Sequence, residues 1–498
     1  MTVYLGIGAV RIQTWLAHTP KLTHLRGASQ ALREHTANTR IEDWLTTTGT
    51  SASVVKEAGD VDGVVALKLQ EGIDPAAVAG RVVADLHHRL PGVQWAAWWC
   101  EAENYLKAMW RSTDPDDPMP RLELLPRLQD NPVAESCPDC RREPLTVDNS
   151  STSGSGADCT ARDRAQQAQM AAAKQAGGRW AGIPGTWPAD FDTLAAKGGL
   201  ADDTQGPQAV GRRDSRSHLA TIAADGNGIG GLVSAITQCH VPLDGLYADT
   251  VKVINEVMEN SVVAAAQEAG DPAALIKVVI PHYVGGDDCL VSIPAAAAWV
   301  FAAKLAMHFA EARRELLTRL DADVAEATAN HPGAAETTAD VRARISALSL
   351  GVGMVFANSS HPFSETAAMA HRALDRAKRD ASGRSARIGW ADLTAESGAL
   401  GREYDAISTI DVATVLRQLV PDAGGVGTDV FALSPSARSQ LGSILRDTRV
   451  TDPEDQQKRI QRWAKRTNST LTTTGVDLPA TLSRARWWPE TNMEENDR

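Results

Sequence analysis

Six cysteines in 498 residues are too few for a disulfide framework, which excludes the small stapled folds of secreted proteins. Positive charge is also in deficit: 50 Lys and Arg face 62 Asp and Glu, for a net charge of −12. That balance argues against indiscriminate nucleic-acid binding by the chain as a whole and leaves only local basic patches for such a role. No apolar run reaches membrane-spanning length, and Met1–Gly8 carries no basic segment ahead of an apolar core, so neither a span nor a secretory leader is expected. The compartment read from these absences is the cytoplasm. The length suggests about three domains.

The most informative stretch is Val278–Ile293, where two apolar, β-branched runs flank Gly285-Gly286-Asp287-Asp288. This pattern predicts a hairpin with two adjacent acids at its tip. Gly285 and Gly286 permit positive φ and close approach of a polyphosphate, and carboxylates are hard oxygen ligands suited to Mg²⁺. Taken alone, the tetrad is equally an ordinary turn. Upstream, His218–Ala224 reads as a buried strand running into Asp225-Gly226-Asn227-Gly228, followed by a long helical pattern through Val233, Ile236, Tyr247, Val251 and Val257. Asp225 therefore falls at a strand end, and the glycines lead to a helix N-terminus that attracts phosphate. A two-metal nucleotidyl-transfer site needs carboxylates on neighbouring strands, with ions about 3.5–4 Å apart. Asp225 and the hairpin acids together supply that arrangement.

The first third repeats the layout in worn form. Strands are expected at Thr2–Leu5, Gly63–Leu69 and Val93–Cys100, with a helix from Ala9 that resumes after Pro20. Gly8 stands where an acid would be wanted, and Trp98-Trp99-Cys100-Glu101 replaces the acidic hairpin, so this copy is not expected to hold metals. Arg26-Gly27-Ala28-Ser29 offers a nucleotide a cation, a close backbone and a hydroxyl, or else forms a small-residue helix-packing patch. Cys137-Pro138-Asp139-Cys140 reads as half a zinc ribbon, with Cys159 beyond a Ser/Gly tract (149–156) and no partner thiol next to it. Cys100, Cys239 and Cys289 lie in apolar patterns and read as core. Ala295–Leu320 reads as one long helix. Ala347–Phe356 reads as a strand whose Gly351 and Gly353 signal a close neighbour. A helix follows Pro362, with Lys378 near its end, and then a strand at Ala386–Trp390. Residues 392–498 read as helical, and the basic cluster Lys458–Lys465 as a solvated face.

As a set, these motifs resemble the large subunit of type III CRISPR–Cas effector complexes, the Cmr/Csm polymerase–cyclase family. The likeness is carried by the Gly-Gly-Asp-Asp tetrad, the Asp225 loop, Ser349-Leu350-Gly351, His361-Pro362, Ala377-Lys378, Ile12-Gln13 and Leu25–Ser29. It implies an α+β fold of two ferredoxin-like palm domains, the first degenerate (1–130) and the second catalytic (206–395). A cysteine-knuckle insertion (131–205) would lie between them and a helical domain (396–498) at the end. It further implies joining of ATP into cyclic oligoadenylate when a crRNA-guided complex with other Cas subunits binds target RNA. Under that resemblance Asp225, Asp287 and Asp288 would hold two Mg²⁺ or Mn²⁺ ions. Gly226, Asn227, Gly228, Gly285 and Gly286 would cradle phosphate, Lys378 would neutralise it, and Ser349 would touch the base. Arg26 and Ser29 would hold the acceptor ATP. Cys137, Cys140 and Cys159 would form a zinc site.

Three departures from the family pattern stand out. The chain starts at the first palm and contains no His-Asp dipeptide, so HD-type DNase activity is not expected. The cysteine site is one thiol short. Asn227 stands where relatives often have Asp. Two other readings stay open: a stand-alone nucleotide cyclase of the GGDEF kind, and a catalytically silent scaffold of a crRNA complex.

Overall fold

The fold is known from a computed structural model that describes residues 2–16, 19, 21–113, 120–124, 135–141, 143–145, 154–173, 180–201, 217–239, 243–328, 338–382, 385–394, 407–420, 428–431, 433–445, 447, 452–467 and 477–488. Two sheets carry the chain. The first joins β1 (Thr2–Val10), β2 (Ala52–Val54), β3 (Val64–Leu69), β4 (Gln94–Ala102) and β5 (Arg121–Leu124) in the order β2-β3-β1-β4-β5, all antiparallel. The second joins β6 (His218–Asn227), β7 (Ile280–Gly285), β8 (Asp288–Pro294), β9 (Ser349–Asn358), β10 (Arg387–Asp392) and β11 (Ser408–Asp411) in the order β11-β10-β9-β6-β8-β7. Only β9 and β10 pair in parallel. Set side by side, β2-β3-β1-β4 and β7-β8-β6-β9 are the same arrangement. Each central strand lies between a hairpin strand and one reached through helices. The repeat expected from the sequence is therefore present, as two ferredoxin-like palms.

Strand alternation decides what faces what in the second sheet. Ala220, Ile222 and Ala224 on β6 join a large core with Val262, Ala266, Trp299 and Phe301 from the helices Asp244–Ala269 and Ala298–Phe309. The alternate residue Ala223 packs with Leu290 and Val355 under Ala367, Ala370 and Leu374 of the helix Phe363–Ala381. Thr221 donates to Thr366 of that helix at 3.0 Å. The helix lies directly on the strands because two positions lack a side chain. A Cβ on Gly353 would meet the Ala370 carbonyl oxygen at 2.0 Å, and one on Gly389 the Ala373 carbonyl oxygen at 2.2 Å. The close neighbour announced by the strand glycines is this helix.

The two palms share packed contacts. Tyr4 of β1 stacks edge-on with Tyr105, and Tyr105 with Tyr247 of the long helix, at 6.0 and 6.4 Å between ring centroids. Arg33 pairs with Glu259 at 3.0 Å across the same joint. At the far end, Trp487 stacks on Phe356 at 5.5 Å and donates to Asp392 at 3.0 Å, seating the C-terminal helices against the second sheet.

Four elements differ from expectation. β1 runs on through Val10, where a helix is expected from Ala9, and the helix begins at Ile12. The helical run after Asp225 divides into Ile229–Gln238 and Asp244–Ala269, and the intervening sequence contains Pro242, which cannot continue a helix. The run from Ala295 divides into Ala298–Phe309 and Ala312–Thr328. The helical tail begins with a strand, β11, which pairs with β10 and is fastened by Arg387 to Asp411 at 3.1 Å. The Ser/Gly tract at 149–153 and the linker at 202–216 lie outside the described residues.

Candidate active site

Asp225 is near the end of β6, where the ladder sets it opposite Asp288 of β8 on one side and Gly351 of β9 on the other. Asp287 occupies the two-residue turn between β7 and β8, next to Gly286 at φ +60°. Directly paired antiparallel residues have Cα atoms about 4.5–5.5 Å apart, so the three acids meet at one end of the sheet. The turn is held from behind, because the Gly286 amide donates to Asn255 Oδ1 at 3.0 Å and the Gly226 amide to the Asp287 carbonyl at 3.2 Å. A Cβ on Gly226 would lie 2.8 Å from Asp287 Oδ2, so only glycine leaves that carboxylate its place. Gly228, at φ +90°, turns the chain into the helix Ile229–Gln238.

The electrostatics are those of crowded, partly buried carboxylates. Burial, and then the neighbouring Asp288, push the Asp287 carboxyl up to about 6. Burial also raises Asp288, against the opposing pull of His371. Lys378, from the last turn of the helix Phe363–Ala381, forms an ion pair with Asp225 and lies 3.5 Å from the Gly226 carbonyl. Burial lowers its pKa. Asn227 is buried and donates to Ser349 Oγ at 3.0 Å, so these two expected ligand contacts bond to each other.

A pH test follows. The folded pKa of Asp287 stands above its ordinary value of 3.8, so the folded protein holds this proton more tightly than the unfolded chain. The resulting stability is complete below about pH 4 and is lost as pH rises through about 6. In divalent-free buffer, Asp287→Asn should gain about 2–3 kcal/mol on the wild type between pH 4 and 7, read from denaturant midpoints, since each pKa unit is worth about 1.4 kcal/mol. A constant difference across that range would show that Asp287 is not held in this way.

A cavity of about 300 Å³ opens beside Asp288, lined by Ala9, Arg11, Ile12, Thr14 and Tyr283. The end of β1 and the short helix Ile12–Leu16 thus form its wall opposite the acids. Sequence reading missed Arg11, Thr14, Tyr283 and His371. Arg11 stands out only in the structure, as a non-glycine residue at φ +55°. Arg26 is buried on the helix Leu22–Thr36, with its guanidinium over Trp187 at 5.4 Å and its Nε without a hydrogen bond. Ser29 is half-buried on the same helix, and neither residue lines the cavity. Gly27 serves packing, since a Cβ there would meet the Arg162 carbonyl oxygen at 1.9 Å.

The thiol sulfurs of Cys137, Cys140 and Cys159 lie within 4.8 Å of one another. Soft donors so grouped suit zinc. Burial, then Cys140 and Cys137, push the Cys159 thiol up, a state that a cation would relieve. Among the described residues no fourth Cys, His, Asp or Glu joins the group.

With this geometry in place, the comparisons with known proteins are specific. Residues 218–387 match the family model of Cas10/Cmr2, second palm domain. This segment is similar to a Cas10/Cmr2 second palm domain. The palm so identified contains Asp225, Asp287, Asp288, Ser349 and Lys378, while the opposite wall of the cavity comes from residues outside the match. Comparison with curated proteins gives no match. Among solved structures, Csm1 of T. onnurineus is similar over 98% of this chain and 68% of its own, at 14% identity and a TM-score of 0.50. A Csm1–Csm4 cassette in complex with cA4 is similar over the same shares at 14% identity and a TM-score of 0.47. The same cassette with one ATP gives 15% identity, shares of 98% and 68%, and a TM-score of 0.47. The likeness to Csm1 extends the two-palm fold beyond the Cas10/Cmr2 segment to nearly the whole chain. No helix among the described residues is long and apolar enough to cross a membrane.

Proposed function

We propose that the chain is the large subunit of a cytoplasmic type III CRISPR effector complex and joins ATP into cyclic oligoadenylate when that complex holds target RNA. The observation that carries this reading is the Asp225–Asp288 pair with Asp287 beside it, inside a Cas10/Cmr2 palm and facing the first palm across a cavity. The acids fit Mg²⁺ or Mn²⁺: they are hard oxygen donors, and two of them, half-buried side by side, hold their protons above the ordinary carboxylate range, which a bound cation would relieve. The chemistry such ions supply is acidification of an attacking hydroxyl and neutralisation of a departing pyrophosphate.

The chain's own residues would do the rest. Asp225 and Asp288 fix the ion positions from adjacent strands. Gly226, Gly228, Gly285 and Gly286 leave the backbone open to phosphate oxygens. Lys378 balances the charge of the triphosphate, and the first palm holds the second nucleotide. Partner Cas subunits and crRNA would present the target RNA, and the cysteine trio would carry zinc.

The test uses purified protein alone, and reconstituted with its neighbouring subunits, guide RNA and target RNA. Each is incubated with ATP and Mg²⁺ or Mn²⁺, and products are identified by mass spectrometry. Adenylate rings appearing only with target RNA are the expected result. Rings without RNA would mean a free-standing cyclase, and products from GTP instead would point to GGDEF-type chemistry. No product under any condition would leave a scaffold.

A further inference from the structure

We propose that Arg162 is a positioning residue that sets the first-palm wall of the nucleotide cavity. It sits on the helix Ala157–Ala173, three residues beyond Cys159, and is fully buried. Its Nε donates to Asp158 at 2.7 Å. Its two terminal nitrogens reach the carbonyl oxygens of Trp15 and Leu16, at 2.7 and 3.3 Å. Those carbonyls end the helix Ile12–Leu16, the element that carries Ile12 and Thr14 into the cavity opposite Asp288. A five-residue helix cannot satisfy its own last carbonyls and has little intrinsic stability. A planar guanidinium fork fits two adjacent carbonyl oxygens, whereas an ammonium is a point donor.

The joint is closed on its other sides. The guanidinium stacks on the Trp15 ring at 4.4 Å, and Trp15 Nε1 donates to Asp158 at 3.0 Å. A Cβ on Gly92 would come within 2.8 Å of both Trp15 Nε1 and Asp158. One buried ion pair thus ties the cysteine-bearing helix to the short helix at the cavity, 147 residues apart in the chain. Burying an arginine and an aspartate is costly and only weakly stabilising, so we assign this pair to geometry rather than to stability. Here the geometry fixed is the distance between the Arg11–Thr14 wall and the acids.

This inference rests on the two-palm reading of the reaction, and the experiment separates the two. In the reconstituted complex, Arg162→Lys keeps the charge beside Asp158 but loses the fork. It should raise KM for ATP about tenfold, the lower end of what outer positioning residues contribute, with kcat within about twofold. Mn²⁺ affinity at the acids, measured by electron paramagnetic resonance on the full chain, should stay unchanged. Amides of residues 12–16 should exchange hydrogen faster. An unchanged KM would overturn the proposal, whether or not exchange had quickened. So would equal losses in KM and Mn²⁺ affinity, which would mark a general loosening of the fold. If Arg162→Lys loses its cooperative melt, Trp15→Phe carries the test, with the same KM direction at a smaller size. If the wild-type complex makes no nucleotide product, the reading of function fails instead, and exchange at residues 12–16 still reports whether the clamp exists.

Discussion

Replacing Asp287 and Asp288 together by alanine should lower ring synthesis by at least about a thousandfold, on the scale of losing a preorganised charge-stabilising group. The same variant should fold at least as well as the wild type. Both carboxyls are half-buried side by side and hold their protons above the ordinary range, so the metal-free protein carries them at a cost. Loss of activity together with an unchanged or raised thermal midpoint is the signature of groups kept for chemistry. A structural pair would give the reverse, a lowered midpoint with activity falling in proportion. Mn²⁺ binding separates the remaining cases. It should disappear in the double variant and persist, weakened, in Asp225→Asn, because Asp225 shares its carboxylate with Lys378. Full synthesis by the double variant would transfer the chemistry elsewhere in the complex.

The parts of this site that were legible in the sequence are those fixed by local rules. Alternation on β6 and a glycine turn before β8 placed three acids at one sheet end, and their mutual register needed only the assumption that the two strands are neighbours. What was not legible depends on docking between distant segments. The residue types of Arg11 and Thr14 do not announce that the end of β1 will face Asp288, because that contact is made by segments far apart in the chain. Residue types alone leave Arg26–Ser29 open between a nucleotide contact and a helix-packing patch; in the fold their helix packs closely at Gly27 and Arg26 is buried against Trp187. Asn255, which holds the hairpin turn, is one polar residue in a 26-residue helix and carries no mark of its role. The strand β11 was read as helix because its four residues acquire strand geometry only from the open edge of β10.

Lys378→Ala separates the two parts this lysine plays, and its effects should have opposite signs. Its ammonium is held on Asp225, and Gly351 makes room for its stem, since a Cβ there would come within 3.0 Å of Lys378 Cγ. Unit charges about 4 Å apart attract by about 4 kcal/mol at an effective dielectric constant of about 20, so a cation entering at Asp225 must first displace the lysine. Without the lysine, Mn²⁺ should bind more tightly, by about tenfold once solvent screening is allowed for. Turnover should nevertheless fall about a hundredfold, because the triphosphate loses the lysine cation that the helix Phe363–Ala381 extends to Asp225. Lys378→Arg should recover the charge and only part of the rate, as the larger guanidinium has to share the space beside Gly351. If metal affinity rose with no loss of turnover, the lysine would be a placeholder for the ion and nothing more. If both fell together, its contact with Asp225 would be part of the fold, and the phosphate role would pass to another residue, for which Arg11, exposed and lining the same cavity, is a candidate.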